Sequence, residues 1–221
     1  LWAMAYADVW DKESLKTALS VALRLYEDRA KLDIFSRASL ARALQRLAQQ
    51  GDLTKQAAVL SGAAATMVGE LEGAAKQTGV GVYWPSNMRE KWSWLDNDVE
   101  VTAQVLSALL EVKPASPHIV PAVRWLMAAR RGKSWSSTKD TAAAVLALAK
   151  YLEAQPSELA PDFTVRVKLG DRQVQELRMT AEDIFADAKT VKIAAADLKP
   201  GENALSIEKT GQGTVYWAAR L

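Results

Sequence analysis

The chain has 221 residues, 49% of them hydrophobic and 24% charged, the balance of a soluble globular protein with one large domain or two modest ones. A net charge of +2 is too small to make nucleic acid the default partner, and the lack of Cys excludes disulfides, thiolate zinc sites and a cysteine nucleophile or thioester within the chain. One His, His118, excludes any site that needs two His ligands. The chain opens Leu1-Trp2-Ala3, without Met and without a basic leader before an apolar core, so we expect a segment of a longer protein with no signal peptide. Asp11 caps a first helix running to about Asp28, with Glu13 in its first turn. Ser36 or Ser39 starts a second, which stops at Gly51. Asp52 or Thr54 starts a third, to about Lys76, and residues 77–95 form a long Gly- and Trp-containing loop. Asn97, with Glu100 three positions on, caps a fourth helix to about Glu111. Ser116-Pro117, or Pro121, opens a fifth that ends at Arg131-Gly132. Ser137 with Asp140 opens a sixth, to about Glu153. Its run from Ala142 to Ala149 is apolar throughout, far too short to span a membrane, and predicts burial on most sides.

Past Pro156 and Pro161 the period changes from helical to alternating. Residues 163–169, 190–194, 204–209 and 214–221 read as strands, with turns at Gly170-Asp171 and at Pro200-Gly201. The boundary falls near 157–161, which divides the chain into a helical part, 1–158, and a β part, 159–221. Six helices joined by turns read as antiparallel hairpins. Thr102-Ala103 and Ala108-Leu109 recur 39 residues later as Thr141-Ala142 and Ala147-Leu148, with Trp94 before the first copy and Trp135 before the second. Such a repeat means stacked hairpins, either an open solenoid or a closed α/α toroid. The apolar sixth helix suits an inner helix of a toroid. The fold class is therefore mainly α, with part of an α/α toroid followed by an antiparallel, sandwich-like β segment.

Few residues offer chemistry. His118 is the only imidazole available as a general base, but no Ser or Cys nucleophile can be assigned beside it, which favours a surface or capping role. Asp96, Asp98 and Glu100 lie together in Trp94-Leu-Asp-Asn-Asp-Val-Glu100. Paired carboxylates at the mouth of a toroid are what a glycosidase needs, and acids at a helix N-terminus are also what its dipole favours. Arg124, Arg130, Arg131 and Lys133 form a basic cluster near Trp135, suited to a helix C-terminus as much as to a nucleic acid. Gly79-Val-Gly81 is too short for a phosphate loop. Tyr83, Trp84, Trp92 and Trp94 crowd one loop, where they either fill space between helix ends or anchor a protein contact.

Three stretches carry a resemblance. Lys91-Trp-Ser-Trp-Leu-Asp-Asn-Asp-Val-Glu-Val-Thr-Ala103, Val123-Arg-Trp-Leu126 and Lys133-Ser-Trp-Ser-Ser-Thr-Lys-Asp-Thr-Ala142 resemble bacterial alpha-2-macroglobulins, in the later half of their thioester domain. The end of the chain, Gly211-Gln-Gly-Thr-Val-Tyr-Trp-Ala-Ala-Arg-Leu221, is similar to the last strand of the CUB-like module that follows that domain. The resemblance implies a piece of a large protease trap, periplasmic or in the cell envelope and often lipid-anchored. It also implies a CUB-like module split around the helical domain and hence incomplete here. In thioester-bearing members a Cys-x-Glu-Gln motif joins Cys to Gln, and bait cleavage exposes the bond to a protease amine. No such Cys is present, so no catalytic residue carries over. Residues 80–98 also lack the His that some complement relatives use to favour hydroxyls, so a thioester upstream should prefer amines.

The expected function is thus a non-catalytic fragment of a protease inhibitor. Its partners are proteases, through the full-length protein, and other domains of the same chain, with no nucleic acid, no membrane insertion by this segment, no cofactor and no metal. Tyr83, Trp84, Trp92 and Trp94 are the interface candidates, at a domain contact or in the wall around the thioester position. The alternatives are a toroid glycosidase using Asp96 and Asp98, and a helical scaffold that binds other proteins.

Overall fold

The computed structural model describes residues 11–86, 97–132, 134–156, 160–183, 186, 189–217 and 219. The chain divides into two compact units, Leu1–Ala154 and Gln155–Leu221. The first holds six helices among its described residues: α1 (Lys12–Glu27), α2 (Ile34–Ala48), α3 (Ala57–Gly73), α4 (Asp98–Val112), α5 (Ile119–Ala128) and α6 (Thr138–Ala154). The starts of α1, α2, α4 and α6 follow local capping chemistry, in which a side-chain oxygen accepts from a first-turn N–H, whereas α3 and α5 start without a side-chain cap. Asp11 Oδ1 accepts from the Ser14 N–H at 2.7 Å, Asn97 Oδ1 from Glu100 at 3.1 Å, and Ser137 Oγ from Asp140 at 3.1 Å. The cap of α2 is Asp33, which accepts from the Ser36 N–H at 2.7 Å, so this helix starts ahead of both serines that the sequence suggests. The third helix starts later than Asp52 or Thr54, because a 3₁₀ turn at Gly51–Leu53 uses those residues first.

The core of this unit is aliphatic, with Leu44, Leu60, Met67, Leu106, Leu109 and Leu126 all essentially inaccessible. Each buried side chain of this size contributes about 1.5–3 kcal/mol. Helices α2 and α3 pack as a hairpin, and α4 lies at the centre, against α2, α3, α5 and α6. One buried polar network crosses this apolar packing. The Arg42 guanidinium donates to both Glu111 carboxylate oxygens, from Nε at 3.1 Å and Nη2 at 2.9 Å, and to Gln104 Oε1 at 2.8 Å. Lys150 also pairs with Glu111, so α2, α4 and α6 are tied at one point. Helix α6 differs from its expected burial. Asp140, Ala144, Ala147 and Tyr151 are buried, but Val145 and Leu146 are exposed, because one side of the helix packs on α4 and the other meets solvent.

The predicted loop after α3 contains a short hairpin, β1 (Lys76–Gln77) paired antiparallel with β2 (Val82–Tyr83). In the second unit β3 (Asp162–Leu169) is the central strand, flanked antiparallel by β4 (Arg172–Met179) and β5 (Leu205–Gln212). Phe163, Val165 and Val167 face the core, with Leu177, Met179, Val191, Ile207 and Val215 packed against them. Strand β4 is absent from the sequence reading because its alternation is broken. The register shifts so that Gln175 opposes Val167 and Gln173 opposes Lys168, which leaves Val174 as a bulge. Residues 190–194 are not a strand: they join neither outer edge of the sheet, and Val191 instead packs against its core. Residues 214–217 are not one either. Near the end of β5, Gly211 takes φ 110°, a conformation that other residues rarely adopt, and a Cβ there would stand 2.3 Å from the Asp162 carbonyl oxygen.

Candidate functional site

The two ends of the repeat share one construction. The Trp135 N–H donates to Thr141 Oγ1 at 3.1 Å, and its indole Nε1–H donates to the Leu126 carbonyl at 2.8 Å. The Trp84 N–H donates to Thr102 Oγ1 at 3.1 Å, and its indole donates to the Leu71 carbonyl at 2.6 Å. Each tryptophan therefore joins the last turns of one helix, α3 or α5, to the first turns of another, α4 or α6. By these bonds Trp84 is the counterpart of Trp135, while Trp94, which precedes the first copy in the sequence, lies outside the described residues. Trp84 stands 18 residues before its threonine and Trp135 stands 6 before its own, so the first copy carries 12 additional residues. Extra residues within one copy of a repeat map to a connection at the end of the array, where binding surfaces commonly lie.

The described flanks of that insertion are firmly held. Trp84 is fully buried in the helical unit, which gives its indole N–H a partner and leaves it no outer face. Tyr83 is half-buried, and its ring stacks on Trp125 at 4.9 Å with planes 10° apart. Gly81 lies so close to α5 that a Cβ there would stand 2.2 Å from the Pro121 carbonyl oxygen. On the far side, Asp98 Oδ1 accepts from the Ser86 N–H at 2.8 Å, so this carboxylate fastens the insertion to the start of α4. Asn97 is buried at the cap, and Glu100 pairs with Lys139 at 2.8 Å. Of the other candidates, Trp92, Trp94 and Asp96 lie outside the described residues, as does Lys133. Arg124, Arg130 and Arg131 are exposed on and beyond α5.

The opposite side of Trp84 holds the polar groups nearest to a reactive cluster. Glu72 accepts from Lys113 Nζ at 2.6 Å and from the Ser116 hydroxyl at 2.6 Å. Burial works to raise its carboxyl, but the hydrogen bonds from Lys113 and Ser116 and the nearby positive charge outweigh this and hold it below the usual carboxylate range. His118 Nδ1 lies 3.8 Å from Glu72 Oε1, beyond a hydrogen bond, and its ring centre is 6.3 Å from that of Trp84. The Ser116 hydroxyl is directed to Glu72 and accepts from the His118 backbone, so no serine here is set up as a nucleophile by the imidazole. Asp140, in the other copy, accepts from the Ser136 hydroxyl at 2.9 Å and is otherwise enclosed. Among the described residues no cluster of His, Asp and Glu is arranged to hold a metal ion, and no helix is long and apolar enough to cross a membrane.

Comparison with known proteins accords with this construction. The chain is 25% identical over 194 residues to the alpha-2-macroglobulin homolog of Nostoc sp. (strain PCC 7120 / SAG 25.82 / UTEX 2576), an alignment that covers 87% of this chain and 9% of that protein. The chain thus spans only a small part of that relative's length. Residues 11–151, the run from the first helix cap into the last turn of α6, match the A-macroglobulin TED domain, and by that match the chain belongs to the bacterial alpha-2-macroglobulin family.

Proposed function

We propose that this chain is a non-catalytic part of a bacterial alpha-2-macroglobulin-like protease inhibitor, and that the longer polypeptide traps the proteases that cleave it. The observation that carries this reading is the match of residues 11–151 to the TED domain. The helical unit is, on this reading, part of an α/α toroid. The β unit is the later portion of a CUB-like module whose remaining strands come from elsewhere in the polypeptide. Among the described residues, two open sheet edges and a core of only three buried residues support that second point. The protein works in the periplasm or cell envelope, where external proteases arrive.

The insertion between Trp84 and Asn97 contributes to a domain interface or to the wall around the thioester position. Tyr83 stands at its base, and Trp92 and Trp94 supply its aromatic area. Trp84, the residue from which it departs, is itself bonded to α3 and α4. Exclusion of water and amines is what such a wall provides to a reactive acyl group. The absence of Cys means that the chain itself cannot form the internal thioester.

The test uses the longer polypeptide. Mixed in excess with a broad-specificity endopeptidase, it should suppress cleavage of a large protein substrate while leaving cleavage of a small chromogenic peptide largely intact. Equal loss on both substrates would indicate an active-site inhibitor, and no loss on either would remove the trapping function.

A further inference from the structure

Between Glu111 and Asp140 the sequence carries Lys113, Arg124, Arg130, Arg131, Lys133 and Lys139 and no carboxylate. From Gly73 to Ser86 its one charged residue is Lys76, although the whole chain has nearly as many acids as bases, 26 against 28. The first stretch holds α5 and the second the β1–β2 hairpin, and the fold joins the two. Gly81 is seated on Pro121, and Tyr83 stacks on Trp125. Lys76 is the cross-strand partner of Tyr83, so it stands on the same side of the hairpin as the stacked ring. Lys113 and Lys139 are spent on Glu72 and Glu100. Lys76, Arg124, Arg130 and Arg131 are exposed and have no acidic partner among the described residues. The negative end of the α5 dipole accounts for Arg130 and Arg131 but not for Lys76, on another element. Two exposed apolar side chains stand among these cations: Val80, at 53%, beside Gly81, and Val120, at 43%, one turn before Arg124.

We propose that Lys76, Val80, Val120, Arg124, Arg130 and Arg131 form a docking face for the surface of an anionic phospholipid bilayer. Charge complementarity carries the choice. Each cation near such a surface strengthens binding roughly fivefold, and these contributions accumulate without any pairwise fit. The two valines enter the boundary between headgroups and acyl chains, where apolar area is rewarded. The face adsorbs and does not insert: among the described residues no helix is long and apolar enough to cross a membrane. A nucleic acid would draw on the same cations, but single strands bind through open aromatic platforms, and the half-buried rings of Tyr83 and Trp125 spend a face on each other. A phosphate-lined duplex gains nothing from Val80 and Val120. An acidic protein segment must match its carboxylates one by one to cations held on two elements, whereas a fluid bilayer needs no such match. The inference stands on charge and exposure and does not depend on protease trapping.

Vesicle sedimentation tests this. At low salt the 221-residue chain should partition onto vesicles of about one-third phosphatidylglycerol in phosphatidylcholine, and not onto pure phosphatidylcholine. Binding should fall at least about tenfold as salt is raised from about 0.05 to 0.3 M. R124Q/R130Q/R131Q should lower the partition coefficient about a hundredfold. R124Q and K76Q alone should each lower it about fivefold, which reads α5 and the hairpin separately. K12Q/K16Q/K55Q removes as many exposed cations elsewhere and should bind like the natural chain. All these positions are exposed, and an unchanged urea midpoint shows that each variant is folded. Absence of partitioning, equal partitioning onto the two kinds of vesicle, or equal losses in the two triple variants would overturn the inference. So would binding to a DNA duplex or to polyglutamate without binding to vesicles. In the longer polypeptide, freed of any acyl chain, R124Q/R130Q/R131Q should have the same effect; no effect there would mean that the face is covered, and would overturn the inference as well.

Discussion

Trp84 and Trp135 each satisfy three groups at once: their own N–H, the indole N–H and a carbonyl at the end of a preceding helix. Removing the indole donor takes one hydrogen bond from a buried helix-end carbonyl, a loss of about 1 kcal/mol, even at Leu71, which keeps its bond from the Ala74 N–H. Trp135→Phe and Trp84→Phe should each lose about that much in urea denaturation, and an unchanged midpoint in both would show that the repeated construction has no energetic role. Gly81 is constrained differently, by backbone that cannot yield. Gly81→Ala should destabilise by about 1–3 kcal/mol, whereas Gly79→Ala, with nothing near its added methyl, should stay within about 0.5 kcal/mol. Glu72 brings a pH dependence. Its folded value lies below the ordinary one, so its stabilising contribution is complete above the usual Glu range, at about 4.3, and is lost as pH falls through the depressed value. Glu72→Gln should therefore be less stable than the natural chain at pH 7, and the gap should close at pH 3. A gap that widened in acid would contradict the assigned sign.

Among elements, the helices bracketed by local chemistry are legible in the sequence, while those set by neighbours are not. The caps at Asp11, Asn97 and Ser137 need only a side-chain oxygen and an N–H three residues on. Strand β4 escapes because a bulge at Val174 breaks the period on which strand reading depends. The Trp84–Trp135 equivalence escapes because 12 inserted residues shift the first copy, and only the Thr102–Thr141 spacing preserves a trace of it. The exposed face of α6 escapes because an apolar run cannot tell which of its sides will find company. The tie between α2, α4 and α6 leaves no sequence signal either, since Arg42 and Glu111 are 69 residues apart. Glu111→Gln weakens the pairing of a 2%-exposed Arg42 and should cost about 3–5 kcal/mol. Lys150→Met, at the better-solvated end, should cost clearly less, and the reverse order in thermal or urea unfolding would show that Lys150 dominates.

For the whole molecule, the mainly helical fold with a small antiparallel sheet and the family were readable from sequence, on the motif runs around Trp94, Trp125 and Trp135. The candidate surface was readable only in outline. Grouping Tyr83 with Trp84 by proximity in the chain joins a half-buried stacked ring to a fully buried one, since adjacent residues of a strand-like segment point to opposite sides. On the proposed function the segment contributes support, a helical array and a small sheet that hold surfaces for the rest of the polypeptide, with no Cys from which to form a thioester. The most direct measurement is peptide mass mapping of the longer polypeptide after it has captured a protease, with methylamine as a second nucleophile. The account predicts retained protease and no added mass on any peptide from these 221 residues. A covalent adduct within this segment, or a protease that cleaves the polypeptide and leaves it unhindered, would contradict it.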